Sequence, residues 1–263
     1  MKLWLGILLL WGLMAVAGWG VGNGAMAVQL DKLLALPDWQ SWLGYDQLGR
    51  PVGARLLLGA QTSLVVALSV VSLSALIGTA IGLVSGYVGG WLDRFVVRVI
   101  DVFLAFPGLL LAIGMAAVLG PGVENVIIAL VVVGWVSYAR LARAQTLSLR
   151  SREHVLAARA LGAGHGRILL RHVLPLIMAP LGVEMSFGVA GAVISEAGLS
   201  FLGLGVQPPA DSWGSMIREG TRYMLVAPHL VLAPGLALML VVLAANRLGD
   251  HWRDRLDVKR LDG

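Results

Sequence analysis

The feature that most restricts this chain is its succession of apolar blocks long enough to cross a bilayer. A membrane-spanning helix needs ~20 mostly apolar residues, and only a helix or a closed barrel pairs all its backbone groups away from water. The sequence predicts six such spans, at about residues 1–20, 62–88, 99–119, 124–139, 174–203 and 230–249. Only 13% of the 263 residues are charged, against ~25% in an ordinary soluble domain. The expected fold class is an all-α polytopic membrane protein, whose core is the packing between spans. Residues 1–60 are read as a first transmembrane helix with a short outer segment. Residues 61–250 are read as a core of five spans, and 251–263 as a tail.

Local signals refine this outline. Met1–Gly20 fits an uncleaved first span with its N-terminus inside; the alternative is a signal peptide, since Ala15-Val16-Ala17 and Ala25-Met26-Ala27 are small-residue sites. Residues 21–60 are polar and turn-rich, Pro107 predicts a kink in the third span, and Gly120-Pro121-Gly122 makes a tight turn. Residues 204–228 read as a loop around Pro208-Pro209. With the N-terminus inside, 15 of the 20 Lys and Arg residues fall in inner segments and 5 in outer ones, the bias expected of cytoplasmic loops. The net charge of +5 therefore flanks spans and does not point to nucleic acid. The absence of cysteine excludes disulfides and thiolate metal sites.

The longest polar interruption is Ser151–Pro175, with Arg152, Arg159, Arg167 and Arg171 against one acid, Glu153. Ser151 is placed to cap a short helix, Val155, Leu156, Ala158 and Leu161 recur at helical spacing, and Gly162, Gly164 and Gly166 break it. Ile168, Leu169 and Leu170 begin a second short helix that Pro175 is expected to end. A cytoplasmic helix–turn–helix joined tightly to two spans can be gripped by a partner; the other reading is a basic loop that only fixes topology.

Two further patterns stand out within the spans. Ser74, Gly78, Gly82, Gly86 and Gly90 recur every four residues, which keeps small side chains on one helix face where another helix can approach closely. Glu184 and Glu196 lie in the fifth span, where carboxyl groups usually face protein or a wet path. Twelve residues leave them about 120° apart in projection, so they are no matched acid–base or metal pair. Each is read either as a pathway or gate residue or as a helix-packing hydrogen bond.

Some chemistry is missing. There is no phosphate-binding G-x-x-x-x-G-K-[ST] loop, and Lys2, Lys32 and Lys259 do not follow a glycine. No nucleophile–base arrangement is apparent, and His154, His165 and His172 are spaced too irregularly for a metal site. No catalytic, cofactor or metal residue is therefore assigned. A transporter of this make-up draws its energy from a separate ATPase, and the basic helix–turn–helix is the natural docking piece.

These residues resemble a known family, the membrane-spanning permease subunits of bacterial binding-protein-dependent ABC importers. The dipeptide/oligopeptide/nickel branch is the most similar, and within it the second of the two paired permeases. Across residues 40–258 the landmarks are Trp42-Leu43-Gly44 with Asp46 to Arg50; Gly89 to Arg94; Asp101 to Pro107; Gly120-Pro121-Gly122; Tyr138 to Leu141 with Arg143; Val155 to Gly162; Leu174-Pro175; Glu196 to Gly205; Trp213-Gly214; Pro234-Gly235; and Asn246 to Asp257. The stretch 151–175 then resembles the family's coupling loop, whose pattern is Glu-Ala-Ala, a glycine four residues later and a downstream Ile-x-Leu-Pro. Ala157, Ala158, Gly162, Leu174 and Pro175 fit; Leu156 stands at the usual Glu position and His172 at the usual Ile position.

The resemblance implies a type I importer permease with six transmembrane helices and both termini inside. It implies ATPase coupling through Glu153, Ala157, Ala158, Arg159, Gly162, Ala163, Leu174 and Pro175. It further implies a homologous second permease, two ATP-binding subunits that hold ATP-Mg, a periplasmic substrate-binding protein, and an inner-membrane location. The implied cargo is a peptide, nickel or a nickel chelate. An ion-coupled secondary transporter working without an ATPase is the alternative, and an intramembrane hydrolase is a third reading.

Overall fold

The computed structural model describes residues 1–22, 26–39 and 41–261. Among these residues ten α-helices follow one another: α1 Lys2–Trp19, α2 Val52–Val88, α3 Gly90–Leu104, α4 Gly108–Leu119, α5 Val123–Leu149, α6 Glu153–Ala160, α7 His165–Ile168, α8 Leu174–Phe201, α9 Trp213–Thr221 and α10 His229–Leu261. No strand occurs among the described residues; the outer segment has only a 3₁₀ turn at Leu30–Lys32 and an isolated bridge from Tyr45 to Pro51. Among the described residues five helices are long and apolar enough to span a membrane, and the bent pair α3–α4 makes a sixth when counted as one span.

The centre of the bundle is α2 lying along α5. A side chain at Gly78 would strike the Trp135 carbonyl and Tyr138, one at Gly82 the Ala139 carbonyl and Ala142, and one at Gly86 the Arg143 carbonyl and Thr146. The two backbones therefore touch, as small residues allow in membranes. The contacts advance together along both helices, so α2 and α5 run parallel. Gly90, expected on the same face, instead begins α3 and has no neighbour where its side chain would stand. The helix has already ended at Gly89, whose φ of +70° suits glycine.

Parallel neighbours need a return crossing, and α3–α4 supplies it. One kinked span was expected over 99–119; the structure has two helices bent by 85°. Pro107 has no N–H and disfavours helix in the residue before it, and Ala105 and Phe106 leave the helix as well. The start of α3 is clamped by Asp93, which accepts from Arg143 Nε at 2.5 Å, from Arg143 Nη2 at 2.7 Å and from Ser85 Oγ at 2.7 Å.

Three other expectations change. Pro175 does not end a helix; α7 runs through a π turn at Leu169–Val173 into α8. Pro175 cannot donate to the Arg171 carbonyl, and widening the turn relieves the clash of its ring with that group. Residues 204–228 are not simply a loop: α9 forms there, started by a capping box between Ser212 and Ser215. Its Trp213 is buried against Trp11 and donates to the Leu56 carbonyl at 3.1 Å. Finally, α2 begins at Val52, ten residues before the expected span; at 37 residues it is about 55 Å long and projects beyond the apolar layer.

That projecting outer end carries an ionic cluster. Arg55, 2% exposed, donates to Asp46 at 2.9 Å, to Asp211 at 2.5 Å and to Glu219 at 2.9 Å. Asp46 also accepts from Arg50 Nε at 2.7 Å and from the Leu48 and Arg50 N–H groups at 2.8 Å. One guanidinium thus ties the outer loop and α9 to α2. Removing one partner of a buried ionic group leaves uncompensated charge, so Arg55→Met is expected to destabilise the outer half by roughly 3–5 kcal/mol. A thermal-unfolding series should show the loss, with Arg55→Lys only partly restoring it because an ammonium lacks the planar fork.

Candidate functional site

At the end opposite Arg55, the short helix α6 sits under the bundle and has two faces. Val155 and Ala158 are buried, joining Leu83 and Tyr87 of α2, Tyr138, Ala142 and Leu149 of α5, Ile168 and Val173 below α8, and Ile177 and Leu181 within it. The opposite face leaves Leu156, Ala157, Ala160 and Leu161 in solvent, with Leu161 88% exposed. An isolated eight-residue helix is unstable in water, so α6 owes its form to this packing. Ser151 does not cap it; the N-cap is Arg152, without a side-chain bond.

The end of α6 is set by a Schellman motif. The Gly162 N–H donates to the Arg159 carbonyl and the Ala163 N–H to the Ala158 carbonyl, both at 3.0 Å, with Gly162 at φ +81°. Tyr87, from the last turn of α2, ties both sides of the turn. Its hydroxyl accepts from Arg159 Nη2 at 3.3 Å and lies 3.1 Å from His165 Nδ1. The Arg159 guanidinium stands 5.6 Å from the Tyr87 ring centre.

The coupling residues expected from sequence thus divide. Glu153, Ala157, Arg159 and Gly162 are exposed, Ala158 is buried, and Ala163 and Leu174 are half-buried. Pro175 is exposed in the first turn of α8. Of the two non-standard positions, Leu156 lies on the outer face of α6, and His172 lies in the π turn.

A cavity of about 190 Å³ opens deeper in the bundle, where α2, α4, α5 and α8 face one another. Its wall is built mostly of small and apolar residues, Gly108, Gly134, Gly188 and Gly191 among them, with Ser74, Ser137, Tyr138, Glu184 and Ser195 as its polar groups. Glu184 also lines a second cavity toward the end carrying α6, together with Gln145 of α5 and Arg253 of α10.

The two span carboxyls have different surroundings. Glu196 is fully buried and outside this cavity, accepting from Ser63 Oγ at 3.1 Å and Ser200 Oγ at 2.8 Å. It is a packing hydrogen bond between α2 and α8, one of its two expected readings. Glu184 is the one on the wall. Sequence reasoning missed the Arg55 cluster and the Asp93–Arg143 clamp, whose partners are far apart in the chain; the only available signal was the presence of acids at span ends in an acid-poor sequence.

Comparison with known proteins places these features in context. The pattern described as "Binding-protein-dependent transport system inner membrane component" matches residues 78–258. The glutathione transport system permease protein GsiD of Escherichia coli O157:H7 is 47% identical over 229 residues, covering 87% of this chain and 76% of the relative. That of Pectobacterium atrosepticum is 43% identical over the same shares. Among solved structures, the inward-facing MetNI methionine ABC transporter superposes with a TM-score of 0.57 at 18% identity, covering 75% of this chain and 96% of the other. A second crystal form gives 0.58 at 19%. At that identity the likeness concerns the fold.

Placing an unpaired carboxylate inside the α6 core costs several kcal/mol, so Val155→Asp is expected to release α6 from the bundle. Amide exchange over residues 153–160 should accelerate strongly while α2 and α5 stay protected. Val155→Ile should leave the exchange pattern near that of the parent.

Proposed function

The chain belongs to the family of binding-protein-dependent transport system inner membrane components and is a non-catalytic permease subunit of a bacterial ABC importer in the inner membrane, and from this premise we propose that it imports a short peptide of the glutathione type. The named cargo of its relatives supports the peptide reading over nickel or a nickel chelate. The ion-coupled alternative is set aside.

In this reading the chain forms half of the translocation pathway and a homologous second permease forms the other half. Two ATP-binding subunits hold ATP-Mg and grip the outer face of α6. A periplasmic binding protein delivers cargo at the end carrying the Arg55 cluster. The observation that carries the proposal is Tyr138: it belongs to the apolar core that holds α6 and also lines the central cavity. A displacement of α6 therefore reaches the cavity wall through packed side chains.

Gly162 provides the test. Its site is open, with nothing within 4 Å of a new side chain, but its backbone is left-handed and costs roughly 1 kcal/mol for other residues. Gly162→Leu is expected to distort the turn and project into the partner's space. Membrane levels should stay normal and ATP hydrolysis by the assembled complex should persist, while ATP-dependent uptake falls severalfold. Normal uptake would remove α6 from the coupling role. This chain alone in liposomes should transport nothing.

A further inference from the structure

Glu184 is the span carboxyl whose surroundings within the chain do not account for it. It is half-buried on α8 and makes no hydrogen bond or ion pair among the described residues. Nearby, the Tyr138 hydroxyl and Ser74 Oγ line the same cavity, are buried at 4% and 1% exposure, and also have no hydrogen-bond partner among the described residues. Buried polar groups are ordinarily paired, and an acid inside a membrane is costly, so it pairs with a neighbour or marks a wet or cargo-bearing path.

Both hydroxyls stand against bare backbone. A side chain at Gly188, one helical turn from Glu184, would meet the Tyr138 hydroxyl, and one at Gly134 would meet Ser74 Oγ. Among the described residues no basic one lines this cavity; Arg253 lines only the neighbouring one, which Glu184 also lines. One carboxylate with neutral hydroxyls gives too few oxygen ligands of sufficient charge to hold a divalent metal. It suits an ammonium group, which brings a positive charge and three donors.

We propose that the cavity between α2, α4, α5 and α8 is a cargo subsite in which Glu184 receives the free ammonium group of a peptide in transit, with the Tyr138 and Ser74 hydroxyls beside it. This rests on the peptide-importer reading above. The contact is transient: a half-exposed carboxylate open to two cavities attracts the cation without trapping it. It also gives the permease a preference for free amino termini separate from that of the binding protein.

The test uses the full importer complex in proteoliposomes with its own binding protein, and compares ATP-dependent uptake of glutathione with that of N-acetylglutathione. The quantity read is the change in the ratio of the two rates on going from parent to Glu184→Gln, so that the binding protein's own preference cancels. A charged hydrogen bond is worth about 1.5–3 kcal/mol, so the ratio is expected to fall by roughly tenfold or more. Glu184→Asp, which keeps the charge, should retain most of the preference. An unchanged ratio, or equal losses for both peptides, overturns the subsite while leaving the importer reading intact. Failure of both variants to assemble would mark Glu184 as a packing residue and also overturn it. If the parent complex imports neither peptide, the peptide reading fails and the subsite falls with it.

Discussion

The close parallel approach of α2 and α5 is the constraint on which the rest of the fold depends. Three glycines one turn apart bring the two backbones into direct contact, and in a bilayer such contact is held by dispersion forces that fall off within fractions of an ångström. Because both helices run the same way, the chain between them must cross back. The broken pair α3–α4 does so, pinned at its start by Asp93 on Arg143 of α5 and Ser85 of α2. The same α2 bears Arg55 at its outer end and Tyr87 at its inner end. One helix thus registers both the outer loop with α9 and the inner helix α6.

What could be read in the sequence follows from how local each cause is. The glycine step of four, the apolar blocks and the Ala-Ala–Gly–Leu-Pro spacing are properties of one segment, and the structure has a close-packed face, span-length helices and a two-faced α6 at those places. The mate of the glycine face was not readable, because spacing on one helix says nothing about its neighbour. The effect of a proline depends on tertiary room: Pro107 bends the chain where a kink is expected, through 85°, whereas Pro175, expected to end a helix, is absorbed by a π turn. The α9 helix was missed because its nine residues are too short for a clear period and follow two prolines. Two of the partners of Arg55, Asp211 and Glu219, lie 156 and 164 residues away, a separation no single-sequence pattern resolves.

Glu184 and Glu196 make the same point within one helix. Residue type and depth were alike, and the sequence left both open between pathway and packing. Glu196 meets serines from α2 and its own helix, so its carboxyl is satisfied internally. Glu184 faces small residues that leave space, with hydroxyls that have no partner within the described chain. The distinction comes from neighbours brought in by α2 and α5, and so from the same parallel pair that organises the bundle.

That pair also decides how a push on α6 would travel. A close-packed core transmits displacement and has little compressibility, so Val155 and Ala158 cannot shift without their neighbours Leu149, Ile168, Ile177 and Leu181. Of the helices these belong to, α5 is locked to α2 by backbone contact and by the Asp93 clamp. In contrast, α8 is entered through a π turn, contains Pro180, and meets the cavity with Gly188 and Gly191. Backbone hydrogen bonds are weakest at such positions. Compliance is therefore concentrated in α8, the helix that carries Glu184 and whose Gly188 faces the Tyr138 side chain through which α6 reaches the cavity. A displacement of α6 would change the separation between these two walls of the cavity, and a cargo group held between them would feel it first.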